Sequence, residues 1–338
     1  MATRHSGDMA EVLDAMGAAV MYDRRASRLT RDGRHMTDLD IDLLIDQSVQ
    51  QPQATSSGIF YLPTMRADRG RRVWHAYMAN NSFDPLEDWF LDLLDSRHTP
   101  CDPASIPVWL WEDRIITPEL ELVEWCWRSF FLAVVARALS AQPVRWDIVP
   151  IIRGPQGCGK STMVTNLLPA QWTNGGMPLR GVANFDSARQ TMEFTEGKAI
   201  LESSEMVGVS GGNREAIKAF LTRDTDRATR KYAIQAEDVP RRWCIVGTTN
   251  DDHPIPYDPT GGRRWIVTSI EGSRPDDGKR IHDALNDYRY ALWMWAVEHV
   301  MSAIENGESL AEMLSVPAHL AGEHHQHVQR YMFQPRGM

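Results

Sequence analysis

The eight residues Gly154, Pro155, Gln156, Gly157, Cys158, Gly159, Lys160 and Ser161 constrain this chain more than any other stretch. Two glycines five apart, followed by Lys and then Ser, form the pattern of a phosphate-cradling loop. Residues 146–153, just before it, read as a buried strand, and residues 162–168, just after it, read as a helix. Strand, glycine loop and helix is the context this chemistry needs. Glycines let backbone N–H groups close around phosphate oxygens, and the helix N-terminus adds positive potential. The expectation is an α/β protein whose loop residues 154–161, together with Thr162, bind ATP. Lys160 would reach the β- and γ-phosphates, and the Ser161 hydroxyl would hold Mg²⁺.

A length of 338 residues allows one large domain or two moderate ones, and a hydrophobic fraction of 43% suffices for a packed core. The net charge of −9, from 45 acidic and 36 basic residues, argues against a chain that coats DNA along its whole surface. It leaves room for a local basic groove. Cys101, Cys126, Cys158 and Cys244 are far apart, and none has zinc-ligand spacing. They read as reduced thiols. The first residues lack the apolar run of a targeting segment, and the longest apolar run, residues 130–136, is too short to span a bilayer. A soluble, cytoplasmic protein with no membrane partner is expected.

Along the chain, residues 8–50 read as a small module. Residues 31–34 give a turn signal, and Thr37 with Asp40 gives a helix-capping box ahead of a helical pattern over 38–49. Residues 51–72 read as a linker ending in a basic run, 66–72, either a solubilising loop or a DNA-backbone contact. Residues 84–145 look helical, and the aromatics of 125–139 read as core. The expected divisions are a module and linker over 1–75, a helical collar over 76–145, an ATPase core over 146–272 and a helical region over 273–338.

Further candidates follow the loop. Residues 186–195 read as a helix, and 198–205 as a short strand ending in carboxylates. In phosphate-loop ATPases such acids hold the metal shell and polarise the attacking water. Glu202 is assigned to the metal shell and Glu205 to the water, although the two roles could be exchanged. Residues 242–250 form the next strand, ending in Asn250, which could orient the water or simply begin the turn that follows. Arg263 and Arg264 precede another strand. They could reach a neighbour's nucleotide or form a surface ion pair. Between these strands, residues 213–242 hold eight basic and five acidic residues, a local charge of +3. A helix over 214–221 and an exposed hairpin over 227–234 suit single-stranded nucleic acid. The named candidates are Lys218, Arg227, Arg230, Lys231 and Tyr232, and a solvated loop is the alternative.

Five ordered stretches resemble the virulence-associated E family of phage and mobile-island replication ATPases, which are similar to superfamily 3 helicases in the AAA+ class. They are residues 154–162, 200–205, 217–222, 247–250 and 260–265. The likeness extends over roughly residues 105–300. It implies an AAA+ fold with a mainly parallel central sheet, preceded by a collar and a small N-terminal module. It also implies a homo-oligomeric ring, a hexamer, with ATP at subunit interfaces and single-stranded DNA in the channel. It maps the channel hairpin onto Lys231 and Tyr232 and a trans-acting finger onto Arg263 or Arg264, with Arg264 favoured. Two departures stand out. The region before the ATPase is too short for the primase domain of many relatives, so a separate primase is expected, and Gly262 stands where relatives often have Asn. The function this implies is an ATP-driven translocase or helicase on single-stranded DNA. A loader ring without unwinding activity and a phosphate-loop small-molecule kinase are the alternatives.

Overall fold

The computed structural model describes residues 2–15, 19–37, 39–41, 43–44, 53–55, 58–60, 73, 76–174, 195–204, 214–228, 237–255 and 262–333. The chain divides into two compact units: Met1–Asp88 with Arg227–Asp238, and Trp89–Asp226 with Val239–Met338.

In the first unit, α1 (Ala2–Ala15) precedes β1 (Val20–Asp23), β2 (Arg28–Arg31) and β3 (Arg34–His35). β4 (Gln53–Thr55) and β5 (Gly58–Phe60) pair by themselves. β6 (Ser82–Phe83) lies parallel to β1, and α2 (Pro85–Leu94) carries the division between the units. Asp32 and Gly33 both have positive φ, 52° and 74°, so the expected turn at 31–34 is a tight hairpin of the primed kind. Thr37 and Asp40 exchange hydrogen bonds as the capping pattern predicts: the Asp40 amide donates to Thr37 Oγ1 at 3.2 Å and the Thr37 amide to Asp40 Oδ2 at 2.7 Å. The apolar core gathers Met9, Val12, Leu13, Val20, Leu29 and Tyr77. A buried Arg25–Asp84 pair at 2.7 Å lies in the same unit.

The second unit holds α3 (Ile106–Trp111), α4 (Leu120–Leu139), β7 (Val149–Arg153), α5 (Lys160–Asn166), β8 (Thr173–Asn174), β9 (Ile200–Ser204) and α6 (Arg214–Thr222). β10 (Thr225–Ala228) and β11 (Glu237–Pro240) pair with each other. Then come β12 (Cys244–Thr249), β13 (Trp265–Ser269), α7 (Asp277–Glu305), α8 (Leu310–Met313) and α9 (Ala321–Tyr331). Five strands form one parallel sheet in the order β13-β7-β12-β9-β8. The fold is thus mixed α/β with a parallel central sheet. Strands hidden on both faces are mostly apolar, and Cys244–Thr249 and Trp265–Ser269 are buried at every position, their threonines and serine included.

α4 is longer than the sequence pattern suggests and buries Trp125, Trp127, Phe130 and Phe131, so its aromatics are core. It packs against β7, β12 and β13. The helix contains one buried cation. The Arg137 guanidinium donates to the carbonyls of Val144 at 3.1 Å, Trp146 at 3.0 Å and Trp243. These carbonyls belong to the segments entering β7 and β12, which no other strand pairing satisfies.

β13 is an edge strand, and its outward amides would invite another strand. The chain uses them itself. Val267 N–H donates to His327 Nε2 at 2.7 Å, and Ser269 N–H to Thr117 Oγ1 at 2.7 Å. His327 is fully buried on α9 and lies 3.1 Å from Glu119. Its Nε2 must be the acceptor, so Nδ1 carries the proton that goes to the carboxylate. Burial lowers the His327 pKa, partly offset by Glu119. Of the hairpin expected over 227–234, residues 229–234 lie outside the described residues; strands Thr225–Ala228 and Glu237–Pro240 on either side of residues 229–236 pair with each other. The helix expected over 186–195 also lies outside them, apart from Thr195.

Arg137→Met keeps the apolar stem and leaves three buried carbonyls without a donor. The loss should be roughly 3 kcal/mol or more, at about 1–3 kcal/mol for each stranded polar group. It is read as a lower midpoint in denaturant unfolding. A variant within about 0.5 kcal/mol of wild type would show that the helix does not anchor the strand entries.

Candidate functional site

The glycine-rich loop leaves the C-terminal end of β7 and enters α5. Gly157 and Gly159 take φ of +84° and +87°, a region in which L side chains are strained. Those two positions turn the backbone so that the loop closes on itself. Lys160 opens α5, and its ammonium lies inside the loop. It donates to the carbonyls of Gly154 at 2.7 Å and Pro155 at 2.8 Å, and to Asn250 Oδ1 at 2.8 Å. Burial lowers its pKa, while Cys158 and Glu202 pull the other way. Cys158 is fully buried, and burial pushes its thiol pKa up.

The neighbouring strands supply the rest. Ser161 Oγ donates to Glu202 Oε1 at 2.5 Å, and Thr248 Oγ1 donates to the same oxygen at 2.7 Å. Glu202 is 2% exposed in the middle of β9, not at its end. Parallel pairing places Val246 beside Glu202, and the two-residue period of a strand puts Thr248 and Asn250 on one face with it. Gly154, Lys160, Ser161, Glu202 and Asn250, called from separate stretches, therefore meet at one end of the sheet. Glu205 lies outside the described residues.

Arg263 and Arg264 do not join them. The Arg264 carbonyl accepts the Val149 amide, at the opposite end of β7 from the loop. Four residues of parallel strand at ~3.3 Å each separate the two ends by roughly 13 Å. Both arginines pair with Asp147, at 3.3 Å for Arg263 and 3.5 Å for Arg264. Arg264 also donates to Thr222 Oγ1 at 3.1 Å. Its side chain is 14% exposed, against 61% for Arg263. Gly262 beside them has a packing reason: a Cβ there would stand 2.9 Å from Ile255 Cγ2 and 3.2 Å from Val328 Cγ1.

A family-wide sequence model of the virulence-associated protein E-like domain matches residues 106–329. The chain belongs to this family. Two solved structures are also similar to it, both A-form apo structures of the NrS-1 C-terminal region. One is 15% identical with a TM-score of 0.47, covering 88% of this chain and 74% of that one. The other is 12% identical with a TM-score of 0.48, covering 90% and 74%. No match is found among curated proteins. Among the described residues no helix is long and apolar enough to cross a membrane.

The virulence-associated E-like region contains site residues that the motifs did not mark. Trp111, fully buried at the end of α3, donates its indole N–H to the Cys158 carbonyl at 2.7 Å. Arg114 grips both oxygens of Asp277 at 2.7 Å each, at the start of α7. Thr248 was legible from its spacing to Asn250. The other three are separated from the loop or from each other by far more than a motif's length. Of the five nucleic-acid candidates, Lys218 is half-buried on α6, and Arg227 is exposed, 3.7 Å from Asp238. Arg230, Lys231 and Tyr232 lie outside the described residues.

Burial alone would raise the Asp277 carboxyl. The Arg114 fork, the Arg274 amide and Arg280 outweigh it and hold the pKa at about 2, against an ordinary 3.8. A depressed carboxyl pKa contributes stability that is full above the unfolded value and lost as pH falls from 3.8 toward 2. Asp277→Asn should therefore cost about 3 kcal/mol at neutral pH, the scale for breaking one side of a buried pair. The gap between variant and wild type should close between pH 3.8 and 2 in melting curves, and a gap that persists at pH 2 would contradict the pairing.

Proposed function

We propose that this chain is a phosphate-loop ATPase of the AAA+ class, acting as a hexameric ring on single-stranded DNA in phage or mobile-element replication. The single observation that carries the reading is the setting of Lys160. Its ammonium is half-buried in a loop turned by two left-handed glycines, and its hydrogen-bond partners are three neutral oxygens and, at 3.9 Å, the Cys158 sulfur. A cation held this way has donors to offer an anion. The parallel sheet supports the same conclusion, because ligands in such folds sit at the carboxyl ends of the strands. Family membership supports the replication role.

Within this reading, Lys160 exchanges its loop carbonyls for the β- and γ-phosphates of ATP. Residues 154–162 hold the phosphates, and Asn250 keeps the lysine aimed and faces the attacking water. Ser161 and Glu202 fit Mg²⁺, since a hydroxyl and a buried carboxylate 2.5 Å apart are hard oxygen donors. When bound, the ion supplies charge neutralisation on the phosphates. Glu205 remains the group assigned to accept the water's proton.

The distance of the arginines from their own loop supports a role toward a neighbouring subunit. Of the pair, Arg263 reaches solvent, while Arg264 is tied to Asp147 and Thr222. In this reading Arg263 is the finger and Arg264 its anchor, the reverse of the sequence preference. The residues assigned to the DNA strand are those of the sequence reading, Lys218, Arg227, Arg230, Lys231 and Tyr232.

Lys160→Ala should lower ATP hydrolysis by at least about a hundredfold, the scale for losing an electrostatic stabiliser. Turnover near wild type would sink the site. Strand displacement on a forked substrate then separates a helicase from a loader.

The arginines are tested together. Arg263→Ala should bind ATP and melt like wild type yet fail to hydrolyse. Mixed with Lys160→Ala, it should regain some turnover at interfaces where an intact finger meets an intact loop. Arg264→Ala should chiefly lower the melting temperature. The opposite pattern would restore Arg264 as the finger.

A further inference from the structure

The phosphate loop is gripped from behind by a short piece of the chain that no motif marks. A loop that cradles an anion must turn several of its amides inward, and the carbonyls of those same peptides then point outward. An outward carbonyl in a dry environment needs a donor. The Cys158 carbonyl has one: the indole N–H of Trp111, at 2.7 Å, from a side chain with no exposure. The next residue, Glu112, turns the chain with a φ of +52°, ending α3. That turn brings Arg114 onto Asp277, with both of its bonds at 2.7 Å. Asp277 begins α7, and the next turn of α7 carries Ile281. A Cβ on Gly159 would stand 2.4 Å from Ile281 Cδ1. Residues 111–114 therefore fix the loop twice, once through the Cys158 carbonyl and once through the helix packed on Gly159.

From this geometry we infer that Trp111 is a positioning residue for the phosphate loop, with Arg114 as its second attachment through Asp277. It touches no substrate. It holds the Cys158 peptide in the orientation that leaves the loop amides facing inward before the ligand arrives. Without the indole donor the peptide can rotate, and only a fraction of molecules then present a competent loop. Apparent affinity falls in proportion to that fraction, while molecules that have bound ligand retain the same geometry. The effect is therefore expected in binding and KM, not in kcat. This inference rests on the nucleotide reading above.

The test uses the full chain, with ATP and Mg²⁺ binding followed by calorimetry and hydrolysis by steady-state kinetics. Trp111→Phe keeps most of the buried ring and loses only the donor. ATP affinity should weaken about tenfold, the scale of one buried hydrogen bond, and KM should rise in step, with kcat within about twofold of wild type. Trp127→Phe is the control. Trp127 is also fully buried, and its indole donates at 3.0 Å to Thr268 Oγ1 on β13, not to a residue of the loop. It should lower the melting temperature and leave ATP affinity unchanged. If Trp111→Phe does not fold, Arg114→Lys replaces the two-pronged grip by a single contact, and a KM rise of about threefold with kcat unchanged is expected. Affinity equal to wild type in the folded variant, or an equal loss in Trp127→Phe, overturns the inference and leaves the nucleotide reading standing. A wild-type chain that binds no ATP overturns both.

Discussion

Much of the second unit depends on one guanidinium. Arg137 is buried in the last turn of α4, and each of its donor nitrogens meets a main-chain carbonyl or a neighbouring sulfur. The carbonyls come from residues 144, 146 and 243, which deliver the chain into β7 and β12. A buried charge is costly, and among the described residues no carboxylate pairs with this one. Three carbonyl dipoles do the stabilising. Because the strand entries are fixed together, so are the strand exits. The glycine loop and Asn250 leave those exits, which is why Asn250 can reach the Lys160 ammonium at 2.8 Å across ninety residues of sequence.

Parallel strands have a second consequence. All amino ends lie on one side, so residues preceding a strand stand a full strand length from residues following one. Arg264 precedes β13 and the loop follows β7, and β13 and β7 are paired in register from Trp265–Val149 to Ser269–Arg153. A single chain therefore keeps the arginine pair and the loop apart without any further device. The outer edge of β13 is closed as well, since Thr117 and His327 accept its outward amides. A second copy cannot extend the sheet there by strand addition at those amides. Contact on that side must use side chains, of which Arg263 is the most exposed member of the arginine pair.

How much of this was legible in the sequence follows from distance along the chain. The loop, its strand and its helix are contiguous, so composition and spacing defined them. Glu202 and Asn250 were found because each belongs to an apolar run that reads as a strand. Glu202 was expected at a strand end and instead lies mid-strand, where Ser161 and Thr248 satisfy it. The capping pair Thr37–Asp40 and the turn at 31–34 are local, and both form as read. Trp111 and Cys158, Arg114 and Asp277, and Val267 and His327 are 47, 163 and 60 residues apart. No periodicity joins such pairs. An Arg inside an apolar helix was the one visible trace of the Arg137 anchor, and it gives no hint of three carbonyls.

Charge counting needs the same correction. The stretch 213–242 carries eight cations against five anions. Arg241 and Asp226 are both buried and paired at 2.8 Å, and the Arg241 guanidinium lies over Phe220 and Trp243, so that pair offers nothing to a ligand. Arg242 donates to the Ala138 carbonyl. Six cations and four anions are left, a charge of +2. Elsewhere Arg25, Arg114, Arg128 and Arg330 neutralise carboxylates within their own unit. The cations of this acidic chain serve largely as hydrogen-bond donors to their own fold, which is a better use for a planar guanidinium than for an ammonium. The net charge that this stretch offers beyond its own fold is therefore small, and it makes no broad positive field.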